Sequence, residues 1–265
     1  MRELDLVEWI KRQKNTRGIG DDCYIRGNLV FTTDLTVEGV HFRRTDKPEF
    51  VGQKTLARGL SDIAAMGADP RFCLLSLARP NWADDKWVKA FFRGVLKLNV
   101  PLTGGDLSSA SELVADIVVC GETPAGKALR RDTAKPGDHI YVSGRLGANA
   151  RDGYSRMPKP RLELGRKLRG RASACMDLSD GLSIDLHRLC IASAVAASLD
   201  QIPVAKGATI EQALHGGEDY ELLFTSSKPL KLPGIFHIGN VVKGKAGLIT
   251  LNGNQLRPAG FEHFR

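Results

Sequence analysis

Seven aspartates pose the chemical question in this sequence. Asp21 and Asp22 sit in GIGDDC, Asp34 ends LVFTTD, and Asp62 lies in GLSDIAAMGADP. Asp106 follows Gly104-Gly105, and Asp177 and Asp180 flank Ser179 in MDLSDG. Most stand at strand ends or beside glycines, where a backbone turns and a ligand can come close. Singly, most have ordinary structural explanations. Asp21 or Asp22 could shape an Asx-turn, Asp106 a turn, and Asp180 a helix cap. Asp62 is harder to place, because it falls among small residues of an apolar helix with no Lys or Arg in the following turn.

Together the carboxylates point to cations, since burying several near one another is costly unless positive charge neutralises them. A donor set of oxygens alone favours Mg²⁺ or Ca²⁺ over zinc or copper, and Thr32 and Thr33 add hydroxyl or carbonyl oxygens beside Asp34. Mg²⁺ commonly joins one or two carboxylates to substrate phosphates. The pattern therefore suggests a nucleoside triphosphate held by several ions. No G-x-x-x-x-G-K-[ST], H-R-D, D-F-G, EF-hand or Rossmann fingerprint is present. What remains is a Mg²⁺–phosphate enzyme of another fold.

Composition agrees. The 265 residues suffice for one large or two ordinary domains, and a net charge of +8 suits anionic ligands. The basic residues are scattered, with no nucleic-acid recognition motif among them, so no nucleic-acid partner is expected. MRELDLVEWIKRQK is charged throughout and no apolar run could span a bilayer, so no membrane partner and a cytoplasmic location are expected. Five widely spaced cysteines without a C-x-x-C pair read as reduced core thiols.

The elements that must position these residues alternate. LVFTTD reads as a strand, and a helix from Pro48 to Met66 ends at Gly67. CLLSLA reads as a buried strand. Asn81 can cap a second helix through Leu98, and VPLTGGD reads as a short strand ending in a glycine turn before ELVADIVVCG. The Pro- and Gly-rich stretch after Gly121 marks a boundary near residue 125, dividing the chain into domains 1–125 and 126–265. In the second part HIYVSG, ASACMD, YELLFTS and IFHIGNVV read as strands, with helices from about Pro160 and through GLSIDLHRLC. Residues 145–160 read as a surface loop, and LITLNGNQL as a hairpin turning at Asn252-Gly253. The fold class is α/β.

GIGDDC, TTDLTVEGVHF, ARGLSDIAAMGADP, GGD, MDLSDGLSIDL and GGEDYELLF, in this order, resemble the thiamine-monophosphate kinases, members of the PurM-like (aminoimidazole ribonucleotide synthetase-related) ATP-binding superfamily. The resemblance covers nearly the whole chain. It implies a two-domain PurM-like fold, with an N-terminal mixed β-sheet and helices plus a C-terminal α/β domain, assembled as a homodimer. It implies phosphorylation of thiamine monophosphate to thiamine diphosphate with ATP as donor. By position, the implied Mg²⁺ ligands are Asp22, Thr32, Thr33, Asp34, Asp62, Asp106, Asp177 and Asp180. The implied ATP contacts are Gly105, Asp106, Arg131 and Ser179, with Asp34, Asp62, Asp106 and Arg131 central to catalysis. His41, Glu218 and Phe261 match positions contacting thiamine monophosphate.

The chain departs from the family in being compressed around Gly147 to Pro160 and Asp200 to Ala208, and in reading GGDL where GGDT is usual. The competing readings are another ATP-dependent enzyme of the superfamily and a non-catalytic nucleotide-binding homologue. Cys23 within GDDC is placed differently from the reactive cysteine of the selenide-activating members.

Overall fold

The alternation in the first half of the chain resolves into one sheet packed on helices. In the computed structural model, which describes residues 3–263, α1 (Glu3–Lys11) and β1 (Tyr24–Arg26) precede β2 (Leu29–Val37), α2 (Pro48–Ala65) and β3 (Asp69–Arg79). Next come α3 (Asp85–Leu96), β4 (Leu102–Ser109) and β5 (Val114–Glu122). The strands form a mixed sheet in the order β1-β2-β5-β3-β4, in which β3 and β4 run parallel because α3 carries the chain across between them. Ala115, Ile117 and Val119 alternate inward along β5 and join Leu56, Leu60 and Ile63 of α2 in one core.

The second half follows with β6 (His139–Ser143), α4 (Ala148–Arg151), α5 (Leu162–Leu168), β7 (Ala174–Asp177) and α6 (Leu182–Ala192). It ends with β8 (Ala196–Leu199), α7 (Ile210–His215), β9 (Leu222–Ser226), β10 (Ile235–Val242), β11 (Ile249–Leu251) and β12 (Asn254–Leu256). Their sheet has the order β12-β11-β8-β10-β6-β9-β7, and its core gathers Ile140, Val142, Met176, Leu186, Leu223 and Ile238. A third cluster joins the halves, packing Ala64 and Ala65 of α2 against Tyr141, Cys175, Leu222 and Phe224.

Several local expectations change. α3 is capped by Asp84, whose side chain accepts from the Trp87 N–H, and not by Asn81. β4 continues through Gly104-Gly105 instead of ending there, and residue 105 must be glycine because a Cβ would sit 1.8 Å from the Leu75 carbonyl oxygen of β3. Residues 145–160 contain the short helix α4. Asp180 does not cap α6, whose N-cap is Gly181 without a side-chain cap; Asp185, inside the helix, accepts from the N–H groups of Asp180 and Gly181 at 3.0 and 3.1 Å. The Asn252-Gly253 turn has positive φ at both residues, as a tight hairpin requires. All five cysteines are buried and unpaired. Among the described residues no helix is long and apolar enough to cross a membrane.

α2 is enclosed on all sides, and its small residues make that enclosure possible. A Cβ on Gly52 would stand 2.0 Å from the Phe91 carbonyl oxygen of α3, and one on Gly59 2.8 Å from Val119 of β5. On the other helices, a Cβ on Gly94 would stand 2.1 Å from the Glu49 carbonyl oxygen, and one on Gly165 2.1 Å from that of Ala64. At its end Gly67 takes φ +64°, with the Gly67 and Ala68 N–H groups returning to Ala64 and Ile63 carbonyls, a Schellman closure. Gly52→Ala should force α2 from α3 and destabilise the protein by about 2–3 kcal/mol, read as a lowered midpoint of urea unfolding.

Candidate functional site

Three segments far apart in sequence meet where the two halves of the chain join. The loop before β1 brings Asp22, α2 brings Asp62, and the end of β7 brings Asp177. Each offers a carboxylate oxygen, and the three oxygens lie within 4.8 Å of one another. The Thr32 hydroxyl of β2 donates to Asp62, and the Ser61 hydroxyl donates to Asp177 across the junction of the two halves. Asp22 Oδ2 is buried and has no hydrogen-bond partner among the described residues. A buried, orphaned acceptor beside two further carboxylates, with oxygen donors throughout, fits a hard divalent cation such as Mg²⁺.

Asp34, also on β2, is treated differently. Arg58, one turn before Asp62 on α2, bonds its carboxylate with Nη2 at 2.8 Å and the Leu35 carbonyl with Nη1 at 2.7 Å. Asp180 pairs with Arg188 of α6, which also holds Asp185. On the far side Arg131 pairs with Asp22 and Asp21. Guanidinium groups thus flank the carboxylates from three directions.

Asp34, Asp62, Asp177, Ser179 and Asp180 open into a cavity of about 570 Å³, which Thr33 also lines. Its other wall is aromatic and histidine-rich, with His41, Phe42, Tyr154, Phe261 and His263. His41 Nδ1 accepts from the Val37 N–H at 3.0 Å, which leaves Nε2 to carry the ring proton. Burial, with Arg58, His263 and Lys54 nearby, pushes its pKa down to about 3, so the ring is neutral. The half-exposed Phe261 ring meets His263 edge-on. Glu218 is held by the fully buried Lys54 at 2.7 Å and by Asn149.

Glu218 and Tyr220 have φ of +59° and +49°, a conformation rarely adopted by residues with side chains. Hydrogen bonds fasten this turn: the Glu218 N–H reaches Ser179 O at 2.6 Å, the Tyr220 N–H reaches Leu178 O at 2.9 Å, and Asp219 accepts from the Gly147 N–H.

The structure does not bring every expected residue together. Gly105 and Asp106 do not line the cavity. Asp34 pairs with Ile117, Ile117 with Leu75, and Leu75 with Gly105 across the sheet, so β4 lies three strands, roughly 14 Å, from Asp34. Asp106 is in register with Ser76 and Asp116, one residue out of phase, and so faces the open side of the sheet away from α2. Thr33 points to that side too, and its hydroxyl bonds Asp116 at 2.6 Å. Arg131 does not line the cavity and touches the site through Asp22.

Arg58, Lys54 and Tyr220 were not among the residues expected from the sequence. The first two lie on α2 at positions one and two turns before Asp62, a spacing that could have flagged Arg58 as a neighbour of the carboxylates.

Burial, reinforced by mutual repulsion, raises the pKa of Asp62 and Asp177 well above the ordinary value. Burial and Asp22 raise Asp21 to about 7 against the pull of Arg131. Burial raises Asp34 to about 6 although Arg58 opposes it. A carboxylate with a raised folded-state pKa contributes stability that is complete below its unfolded pKa and is lost as pH rises through the folded one. Metal-free protein should therefore melt lower as pH is raised from about 5 to about 8, by roughly 5 °C or more, and Mg²⁺ should restore most at the upper end, as thermal melts with EDTA or Mg²⁺ will read.

Comparison with known proteins places the geometry in context. Residues 20–123 match the family profile of AIR synthase related protein, N-terminal domain. The thiamine-monophosphate kinase of Aquifex aeolicus is 31% identical, the alignment covering 99% of this chain and 98% of that protein. That of Salmonella typhimurium is 38% identical over 78% of this chain and 75% of its own. The solved structure of AaThiL complexed with AMPPCP and TMP superposes with a TM-score of 0.92 at 30% identity, covering 99% of this chain and 97% of that one.

Proposed function

The chain belongs to the thiamine-monophosphate kinase family, and on that premise we propose that it transfers the γ-phosphoryl group of ATP to thiamine monophosphate, giving thiamine diphosphate. The observation that carries this reading is the continuity of the Asp22, Asp62 and Asp177 cluster with an aromatic-walled cavity. One end suits phosphates and cations, and the other suits a flat, partly apolar ring. The complex of AaThiL with AMPPCP and TMP supports both occupants.

Asp22, Asp62 and Asp177, with Asp34, Asp180 and the Thr32 and Thr33 oxygens, would hold Mg²⁺. When bound, the ions offset the repulsion between donor and acceptor phosphates and polarise the transferring group. The protein's own residues do the rest. Glu218, fixed by Lys54 and Asn149, accepts from a donor on the substrate ring. His41 is neutral and offers Nε2–H, and Phe261 and Tyr154 flank the ring. Ser179 lies where the triphosphate enters the cluster. The acceptor phosphate has a second pKa of about 6 and is largely ionised near neutral pH, so no general base is needed. Transfer is then direct and in line, without a phosphoenzyme.

We further assign a cytoplasmic location, no nucleic-acid or membrane partner, a division near residue 125, and a homodimer. The open side of the first sheet, with Leu35 and Leu74 exposed, suits a second copy. Such a copy would give Gly105 and Asp106 a triphosphate to meet from outside their own chain's cluster, and Arg131 would act by holding Asp22.

With ATP, Mg²⁺ and thiamine monophosphate the protein should form thiamine diphosphate, measured directly by chromatography; a folded protein making none overturns the reading. Asp62→Asn should lower the rate by about 10³-fold while leaving the melting temperature unchanged or raised. Rapid acid quenching with labelled ATP should trap no phosphoprotein.

A further inference from the structure

Asp34 and Arg58 both line the cavity and form an ion pair on its wall, with Nη2 of Arg58 2.8 Å from Asp34 Oδ1. Arg58 is only 9% exposed, and Asp34 is not all that holds it. Its Nη1 donates to the Leu35 carbonyl at 2.7 Å, and the phenol of the buried Tyr220 engages the same guanidinium. Tyr220 is itself fastened, its N–H reaching Leu178 O at 2.9 Å. A main-chain carbonyl of β2 and the strained turn before β9 thus fix the guanidinium where it stands. The group is an anchored part of the wall.

The carboxylates at this end of the cavity therefore fall into two kinds. Asp22, Asp62 and Asp177 bring oxygens within 4.8 Å of one another, and Asp34 stands outside that group. The hydroxyls of its neighbours are turned elsewhere, Thr32 to Asp62 and Thr33 to Asp116 on the open side of the sheet. Asp34 faces a cation that cannot be shed, because a guanidinium stays protonated in proteins. A divalent ion set on the same carboxylate would stand against that fixed charge where solvent screens it poorly. To reach Asp34 freely it would have to displace an arginine that Leu35 and Tyr220 also hold.

We propose that Arg58 is a resident counter-cation that takes the place of a divalent ion at Asp34, so that this chain binds its nucleotide with one Mg²⁺ fewer than Asp34 would recruit if it were freed. The inference rests on the kinase reading above and reassigns Asp34 within it. The ions gather at Asp22, Asp62 and Asp177, where an orphaned carboxylate oxygen awaits them. Asp34 instead orients Arg58. Its charge is neutralised by the fold, before any ion binds.

The test counts ions with Mn²⁺ as the probe. The full chain is titrated with Mn²⁺ at saturating AMPPCP, and free Mn²⁺ is read by electron paramagnetic resonance. Arg58→Gln, which can still donate to Leu35 O but carries no charge, should bind about one Mn²⁺ more per chain than wild type. Arg58→Lys keeps the charge and should bind the wild-type number. Asp34→Asn should leave the count of the wild type unchanged, and in the Arg58→Gln background it should remove the added ion. Melting curves confirm that each variant is folded, and Asp34→Asn alone decides the matter should Arg58→Gln fail to fold. If folded Arg58→Gln binds only the wild-type number, or if Asp34→Asn alone loses an ion, the proposal is wrong while the kinase reading stands. If wild type binds neither AMPPCP nor Mn²⁺, both fall.

Discussion

Asp22, Asp62 and Asp177 set carboxylate oxygens within 4.8 Å of one another in a space that water reaches poorly. Repulsion among charges in such a space is strong, and the surrounding structure is arranged to contain it. Arg131 bonds Asp22 itself, while Arg58 and Arg188 bond the neighbouring Asp34 and Asp180. The positive charge is placed around the cluster and not within it. The centre therefore keeps a high demand for cations while the periphery remains folded without them. The orphaned Asp22 Oδ2 is the local expression of that demand.

α2 is the element on which both requirements fall. It packs against the first sheet, against α3 and α5, and through Ala64 and Ala65 against the strands of the second sheet. Such enclosure explains its glycines and alanines, which allow backbones to approach where larger side chains would collide. It also explains why α2 can carry Lys54, Arg58, Ser61 and Asp62 inward. Each of these finds its partner outside α2: Glu218, Asp34, Asp177 and Thr32 respectively. The helix is the physical link between the substrate wall of the cavity and its carboxylate end.

The strained turn at Glu218 to Tyr220 follows the same logic. Two non-glycine residues in the left-handed region are held there by backbone bonds to Leu178 and Ser179, next to Asp177. The substrate wall and the carboxylate end are therefore fastened to each other through the backbone as well as through α2. A shift of one would be felt by the other, which suits a reaction that requires two anions to be brought into line.

Residue types and spacing were enough to mark the carboxylates as a set, to propose oxygen-ligated cations, and to place most strands and the long helix, because these depend on local periodicity and on the energetic cost of buried charge. The family followed from ordered motifs. The sequence by itself did not reveal that β4 continues through two glycines, since only the approach of the Leu75 carbonyl makes glycine necessary there. Nor did it show that Asp180 leaves α6 uncapped and pairs with Arg188 instead. It grouped Asp106 with the others, whereas strand register turns it to the opposite face of the sheet from Asp34. It passed over Arg58, which stands one turn before Asp62, and only the fold shows its guanidinium on Asp34 of β2. Identity and local preference are written in the chain; which charges become neighbours depends on register and packing across the whole molecule, and that only the tertiary structure decided.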